Sequence, residues 1–173
     1  SVGPMAAVAG AIADPINMTC DSRTGQLILL GQDRQDRDDR DDRDDVTLKR
    51  ERGARQRPPV VSLNGASFGL ERPEGMSMDP ATGSLFVLDS ASSRVLRLAA
   101  ERRFARSRAP FRLDGRRSWI DLLPLGESRF RGVAFNPANG HLYVLSPESH
   151  KLYEITKEGE PVSSYDLSGV DLV

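Results

Sequence analysis

The sequence has one cysteine and two histidines, and each scarcity closes a route. Cys20 alone forms no intrachain disulfide, so no oxidative framework is available and cysteine usage says nothing of compartment. Cys20 reads instead as a small buried apolar residue. Neither His141 nor His150 has a cysteine or carboxylate at ligand spacing, which suits exposed structural histidines better than metal ligands or a general base. No apolar run approaches the about 18 residues of a transmembrane helix, so no membrane span is expected. Phosphate-loop and paired-cysteine motifs are missing as well.

Charge of one sign is also lacking, since the net charge is −1, but the balance is uneven along the chain. Residues 33–45 alternate Asp and Arg with Asp in excess, whereas residues 49–57 are basic. The carboxylate-rich tract has neither the turn glycine nor the terminal Glu of a calcium loop, and reads as a solvated, low-complexity polyampholyte. A second basic stretch, Arg102 to Arg117, could hold phosphates or an acidic partner. Only Phe104 and Phe111 interrupt it, too few for a base-stacking platform, so a nucleic-acid partner is not favoured. Met5 to Ala13 is small and apolar but has no basic residues before it, which fits a linker better than a signal peptide.

What the sequence does contain is a repeat. Residues 72–98 lie over 129–155 without a gap, matching Arg72 with Arg129, Gly75 with Gly132, Pro80 with Pro137 and Gly83 with Gly140. Leu85, Val87, Leu88 and Ser92 recur as Leu142, Val144, Leu145 and Ser149. An upstream copy places Pro15, Met18, Asp21, Thr24, Gly25, Leu27 and Leu30 on Pro73, Met76, Asp79, Thr82, Gly83, Leu85 and Leu88. A fixed period marks an array of like units, none of which can bury its faces alone.

Each copy reads as four strands. A short apolar strand (75–78, 132–135) runs into an Asp-Pro-x-x-Gly or Asn-Pro-x-x-Gly turn, where Pro presets φ and Gly takes the left-handed position. The second strand follows as Leu85-Phe86-Val87-Leu88 or Leu142-Tyr143-Val144-Leu145. Successive strand residues point to opposite faces, so four apolar residues in a row predict a sheet covered on both sides. Third strands are expected at 94–98 and 151–155, and looser fourth strands at 60–63, 119–123 and 162–167. Only 99–108 has the composition for a turn or two of helix.

These features predict an all-β chain of about three four-stranded antiparallel β-propeller blades. Closed propellers have about four to eight blades, so a larger ring, six-bladed or similar, is expected to contain them. The division is an inter-blade linker at 1–13, blade 1 at 14–68 with a charged insertion at 33–57, and blade 2 at 69–127 with an Arg-rich loop at 100–117. Blade 3 and the start of the next junction occupy 128–173. A piece of such an array is expected to self-associate through uncovered sheet faces.

The stretch from Pro73-Glu74-Gly75-Met76 to Leu98, and again Gly132 to Leu167, resembles bacterial propellers of the NHL-like and SdiA-regulated kind. Leu142-Tyr143-Val144-Leu145-Ser146 with Lys151-Leu152-Tyr153-Glu154-Ile155 carries most of that likeness. The resemblance implies an extracytoplasmic or secreted location. A weaker resemblance, at Glu74-Gly75, is to SMP-30/gluconolactonase propellers. It implies a lactone-hydrolysing enzyme in which Glu74 is a channel ligand for calcium or another divalent metal. The positions equivalent to Glu74 in the other units are Ile16 and Arg131, and one Glu is not a site.

The expected function is therefore a noncatalytic scaffold, without a cofactor, that recognises a protein, peptide or small ligand. Propellers often place recognition residues in the loops after their second strands, here Asp89, Ser90, Ser146 and Glu148, with Arg72 and Arg131 beside them. The metal-dependent hydrolase is the alternative.

Overall fold

The structure is a computed structural model that describes residues 15–22, 24–31, 46–48, 60–101 and 112–170. The expected linker at 1–13, the Asp-Arg tract and residues 102–111 of the Arg-rich stretch lie outside these residues. Twelve strands are described: β1 (Pro15–Asp21), β2 (Gln26–Gly31), β3 (Val46–Leu48), β4 (Val60–Asn64), β5 (Pro73–Met78) and β6 (Leu85–Asp89). β7 (Arg94–Ala100), β8 (Leu113–Asp121), β9 (Val133–Asn136), β10 (His141–Ser146), β11 (Lys151–Ile155) and β12 (Pro161–Asp166) follow. They form three four-stranded sheets, β1-β2-β4-β3, β5-β6-β7-β8 and β9-β10-β11-β12.

The same turn opens each sheet. Gly25, Gly83 and Gly140 adopt φ of 70°, 74° and 75°, and their amides donate to the carbonyls of Asp21, Asp79 and Asn136 at 2.7–2.8 Å. The carboxylates of Asp21 and Asp79 accept from the hydroxyls of Thr24 and Thr82, so the Asp-x-x-Thr-Gly spacing in the sequence becomes a self-satisfied turn.

The second and third sheets are antiparallel throughout. The first departs from that expectation, because β4 lies beside β2 in parallel and β3 lies outside it. In the other sheets, short polar loops return the third strand antiparallel to the second. Here residues 32–59 separate β2 from β4, more than the about a dozen residues that a parallel crossover needs. β3 falls inside the segment expected as a charged insertion. Two further boundaries move: β8 begins at Leu113, so 113–117 are strand rather than loop, and Ala99 and Ala100 end β7 rather than begin a helix.

The sheets stack face to face, and β6 shows why its sequence is apolar at every position. Leu85 and Val87 join Ile28, Leu30, Val61, Leu63, Met76 and Leu96 in a core between the first and second sheets. Phe86 and Leu88 point the other way, into a core with Val95, Phe130, Leu142, Val144, Tyr153 and Ile155 between the second and third. The outer sheets bury apolar side chains on one face only, as in β10, where Leu142 and Val144 are buried while Tyr143 and Leu145 are half-buried. Cys20 accordingly departs from its expected burial. It is exposed, because β1 turns it to the open side of the first sheet.

The first strands of the sheets stand side by side, β1 against β5 and β5 against β9. At the second of these contacts a Cβ on Gly75 would come within 2.9 Å of Gly132 Cα and Val133 N. The glycine that recurs in the repeat therefore permits the backbones of neighbouring sheets to touch. Ser77 Oγ accepts from the Phe135 amide at 2.9 Å, and Phe86 stacks on Phe135 at 5.7 Å between centroids. Lys157, in the β11–β12 loop, reaches back to Asp79 Oδ2 at 3.4 Å and lies 5.7 Å from the Phe135 ring centroid.

Candidate functional site

The sequence-selected residues collect at one end of the second and third sheets, where first strands begin and second strands finish. In the second sheet the Arg72 amide donates to Asp89 Oδ1 at 2.6 Å, and Ser92 Oγ donates to Asp89 Oδ2 at 2.7 Å. Ser90 binds the Arg72 carbonyl through both its amide, at 2.9 Å, and its hydroxyl, at 3.2 Å. Asp89 is buried, so its carboxylate is committed to tying the 89–93 loop to the start of β5. In the third sheet Ser146 holds the equivalent buried place and accepts from Ser149 Oγ at 2.9 Å.

The charged groups at this end behave differently. Glu148 pairs with Arg129 at 2.8 Å in an exposed ion pair, of a kind worth about 0–1 kcal/mol. Arg72 and Arg131 are exposed, and among the described residues neither guanidinium has a hydrogen-bond or ion-pair partner. Glu74 is half-buried in β5. Among the described residues no three His, Cys, Asp or Glu side chains converge as a metal would require, and Glu74 has as its counterparts Ile16 on β1 and Arg131 just before β9. The residues described thus do not fit a divalent ion at this position.

A second polar cluster was not apparent from the sequence. On the open face of the third sheet Glu154 accepts from His141 Nδ1 at 2.7 Å, Asn139 Nδ2 at 2.9 Å and Tyr165 Oη at 2.8 Å. Asn139 also donates to Tyr143 Oη at 3.1 Å, and Tyr143 stacks on Tyr165. His141 and Tyr165 hold the Glu154 carboxyl below the usual carboxylate range, and the bond to Glu154 raises the Tyr165 phenol. The signal was present in the hairpin register, which sets Tyr143 directly opposite Glu154. His141 therefore has a carboxylate partner after all, thirteen residues away in sequence.

Tyr153 points to the other face of the same strand. Burial and donation to Glu127 Oε1 at 2.7 Å push its phenol up to about 12. Gly65-Ala66-Ser67-Phe68-Gly69 has the Gly-x-Ser-x-Gly spacing of a nucleophile elbow. It forms a short 3-10 turn, capped by the Asn64 side chain and ended by Gly69 at φ 75°, rather than the strand-to-helix turn an elbow needs.

Three sheets stacked face to face, each starting from an inner strand that touches its neighbour's, are β-propeller blades. Within them, residues 116–172 match the family described as SdiA-regulated, a propeller-type family, and that stretch runs from β8 to just beyond β12. Among solved structures, the chain is similar to hydrazine synthase of Kuenenia stuttgartiensis, at 17% identity and a TM-score of 0.39 over 57% of this chain and 24% of that one. It is also similar to regucalcin of Agrobacterium tumefaciens, a calcium-binding protein, at 16% identity and a TM-score of 0.45 over 57% of this chain and 31% of that one. The chain thus spans about a third or less of either structure's length. No curated protein matches it. No helix among the described residues is long and apolar enough to cross a membrane.

Proposed function

We propose that the chain is a noncatalytic recognition scaffold, and that the sheet end carrying Arg72 and Arg131 binds an acidic group on a protein, peptide or small ligand. The observation that carries this reading is the contrast within that end. Asp89 and Ser146 are buried and spent on their own loops, whereas the guanidiniums of Arg72 and Arg131 stand exposed and unpaired among the described residues. Arginine offers a planar fork of donors that suits a carboxylate or phosphate. Two such forks just before adjacent inner strands, beside self-satisfied loops, give an acidic ligand a preorganised place to dock.

Calorimetric titration with a Glu-rich decapeptide, against its Lys-rich counterpart, tests the reading. Binding of the acidic peptide alone, weakened about tenfold by Arg72→Ala or Arg131→Ala and weakened by salt, is the expected result. No binding at millimolar peptide, or binding indifferent to both substitutions, would overturn it. A parallel titration with calcium addresses the hydrolase alternative. Tight binding abolished by Glu74→Gln would favour the enzyme over the scaffold.

A further inference from the structure

Arg72 and Arg129 hold the same place in successive units, on the approach to the inner strands β5 and β9. Among the described residues the Arg72 guanidinium has no partner, whereas that of Arg129 is paired with Glu148. The loops beside the two arginines have the same shape. Residues 90–93 and 147–150 each end in a left-handed residue, Ser93 at φ 50° and His150 at φ 53°. The carbonyl of each accepts the amide of the residue just past the outermost strand of its sheet, Leu122 at 3.0 Å and Leu167 at 2.6 Å. What differs is one side chain: the position equivalent to Glu148 in the first loop is Ala91, which is exposed and has no charge to offer Arg72.

An acid at this loop position therefore decides whether the arginine beside it is free or occupied. Glu148 is itself a carboxylate on a guanidinium fork, which is the chemistry proposed above for the ligand. The side chains of Arg129 and Glu148 are 70% and 58% exposed, so an incoming carboxylate can exchange with Glu148 without opening the core. Two residues on in the chain, the Arg131 amide donates to the Leu145 carbonyl at 2.8 Å, which fixes a second arginine to the end of β10.

We propose that Glu148 is a built-in competitor of the acidic ligand: it fills the Arg129 fork, lowers the affinity of this sheet end, and directs the ligand towards Arg72 and Arg131. The inference rests on the reading of this end as a site for an acidic group, and adds to it the residue that sets which arginines the ligand uses. Ala91 is its counterpart in the second sheet, where the absence of an acid leaves Arg72 available.

Calorimetric titration of the Glu-rich decapeptide into loop variants tests this. Glu148→Gln should tighten binding about two- to fivefold, the range open to an exposed ion pair, and Ala91→Glu should weaken it by a similar factor. Glu158→Gln removes the same charge from the opposite end of the third sheet and should change binding less than about twofold, because salt screens a charge that far away. The decisive chain carries Ala91→Glu and Glu148→Gln together, and so keeps the native net charge. In it the cost of Arg72→Ala should fall from about tenfold to about threefold or less, while that of Arg129→Ala should rise to about tenfold. Thermal unfolding checks that each chain folds, and Ala91→Asp replaces Ala91→Glu if that variant does not. Binding that needs Arg72 and Arg131 but ignores both loop substitutions, or an equal gain from Glu158→Gln, would overturn the competitor and leave the recognition reading standing. So would a double variant in which the costs at Arg72 and Arg129 do not exchange. No binding by any of the chains, Glu148→Gln included, would overturn both.

Discussion

Met18 and Met76 hold the same position in successive units, yet Met18 is 64% exposed and Met76 is 7% exposed. Nothing in the local sequence separates them. The difference comes from neighbours: the second sheet has a sheet on both sides, and the first has one on a single side. Phe86 and Tyr143 repeat the lesson at the other junction, for Phe86 is enclosed and stacked on Phe135 whereas Tyr143 is half-buried. The open position can accommodate a hydroxyl, and the one there bonds Asn139. In this molecule burial belongs to the order of units in the stack, and the residue type follows it.

The largest test of that contrast is Phe86→Ala, expected to destabilise folding by about 3–5 kcal/mol because both the transfer and the cavity terms apply. Tyr143→Ala should cost about 1 kcal/mol, since only part of the ring leaves contact. Equal losses in denaturant unfolding would break the comparison. Next, Gly75→Ala should cost about 1–3 kcal/mol, because the atoms its Cβ meets belong to backbone that moves only by parting the inner strands.

A smaller effect is expected from Asp79→Asn, which tests the turn that Asp79 holds together. Burial pushes the Asp79 carboxyl up, but the Thr82 hydroxyl, the amides of Ala81 and Thr82, and Lys157 together hold it below the usual range. A depressed carboxylate contributes stability above its unfolded pKa of about 4 and loses it as pH falls through the folded value. Asp79→Asn should therefore lower stability at pH 7 and flatten the fall below about pH 4 in pH-dependent unfolding. An unchanged acid limb would show that the Asp79 carboxylate and its partners contribute nothing.

Much of the fold is legible in the repeat. The Asp-x-x-Thr-Gly turns, the doubly covered β6 and the borders of β11 follow from period-2 apolar patterning and turn chemistry, both local properties. The parallel placement of β4 was not legible, because it depends on which strand wins the place beside β2 once a long insertion removes the hairpin constraint. Cys20 was misread for a related reason, since a strand residue's face is periodic but its cover is not. At the candidate site, sequence marked Asp89 and Ser146 by loop position. Their burial and internal hydrogen bonds arise from the return of β5 and from Ser149, which spacing alone does not reveal. The Glu154 cluster needed the hairpin register, and so emerged only with the pairing of β10 and β11.

The central claim, that equivalent positions differ through cover alone, can be tested with one thiol at a time. Cys20 is equivalent to Met78, which is 8% exposed. The native chain, with its thiol at position 20, is compared with a Cys20→Ser, Met78→Cys chain, both at concentrations where sedimentation shows a single chain. Reaction with a disulfide reagent should be at least about a hundredfold slower for the thiol at position 78, whose exposure requires the first and second sheets to part. Comparable rates at the two positions would contradict the stacked arrangement.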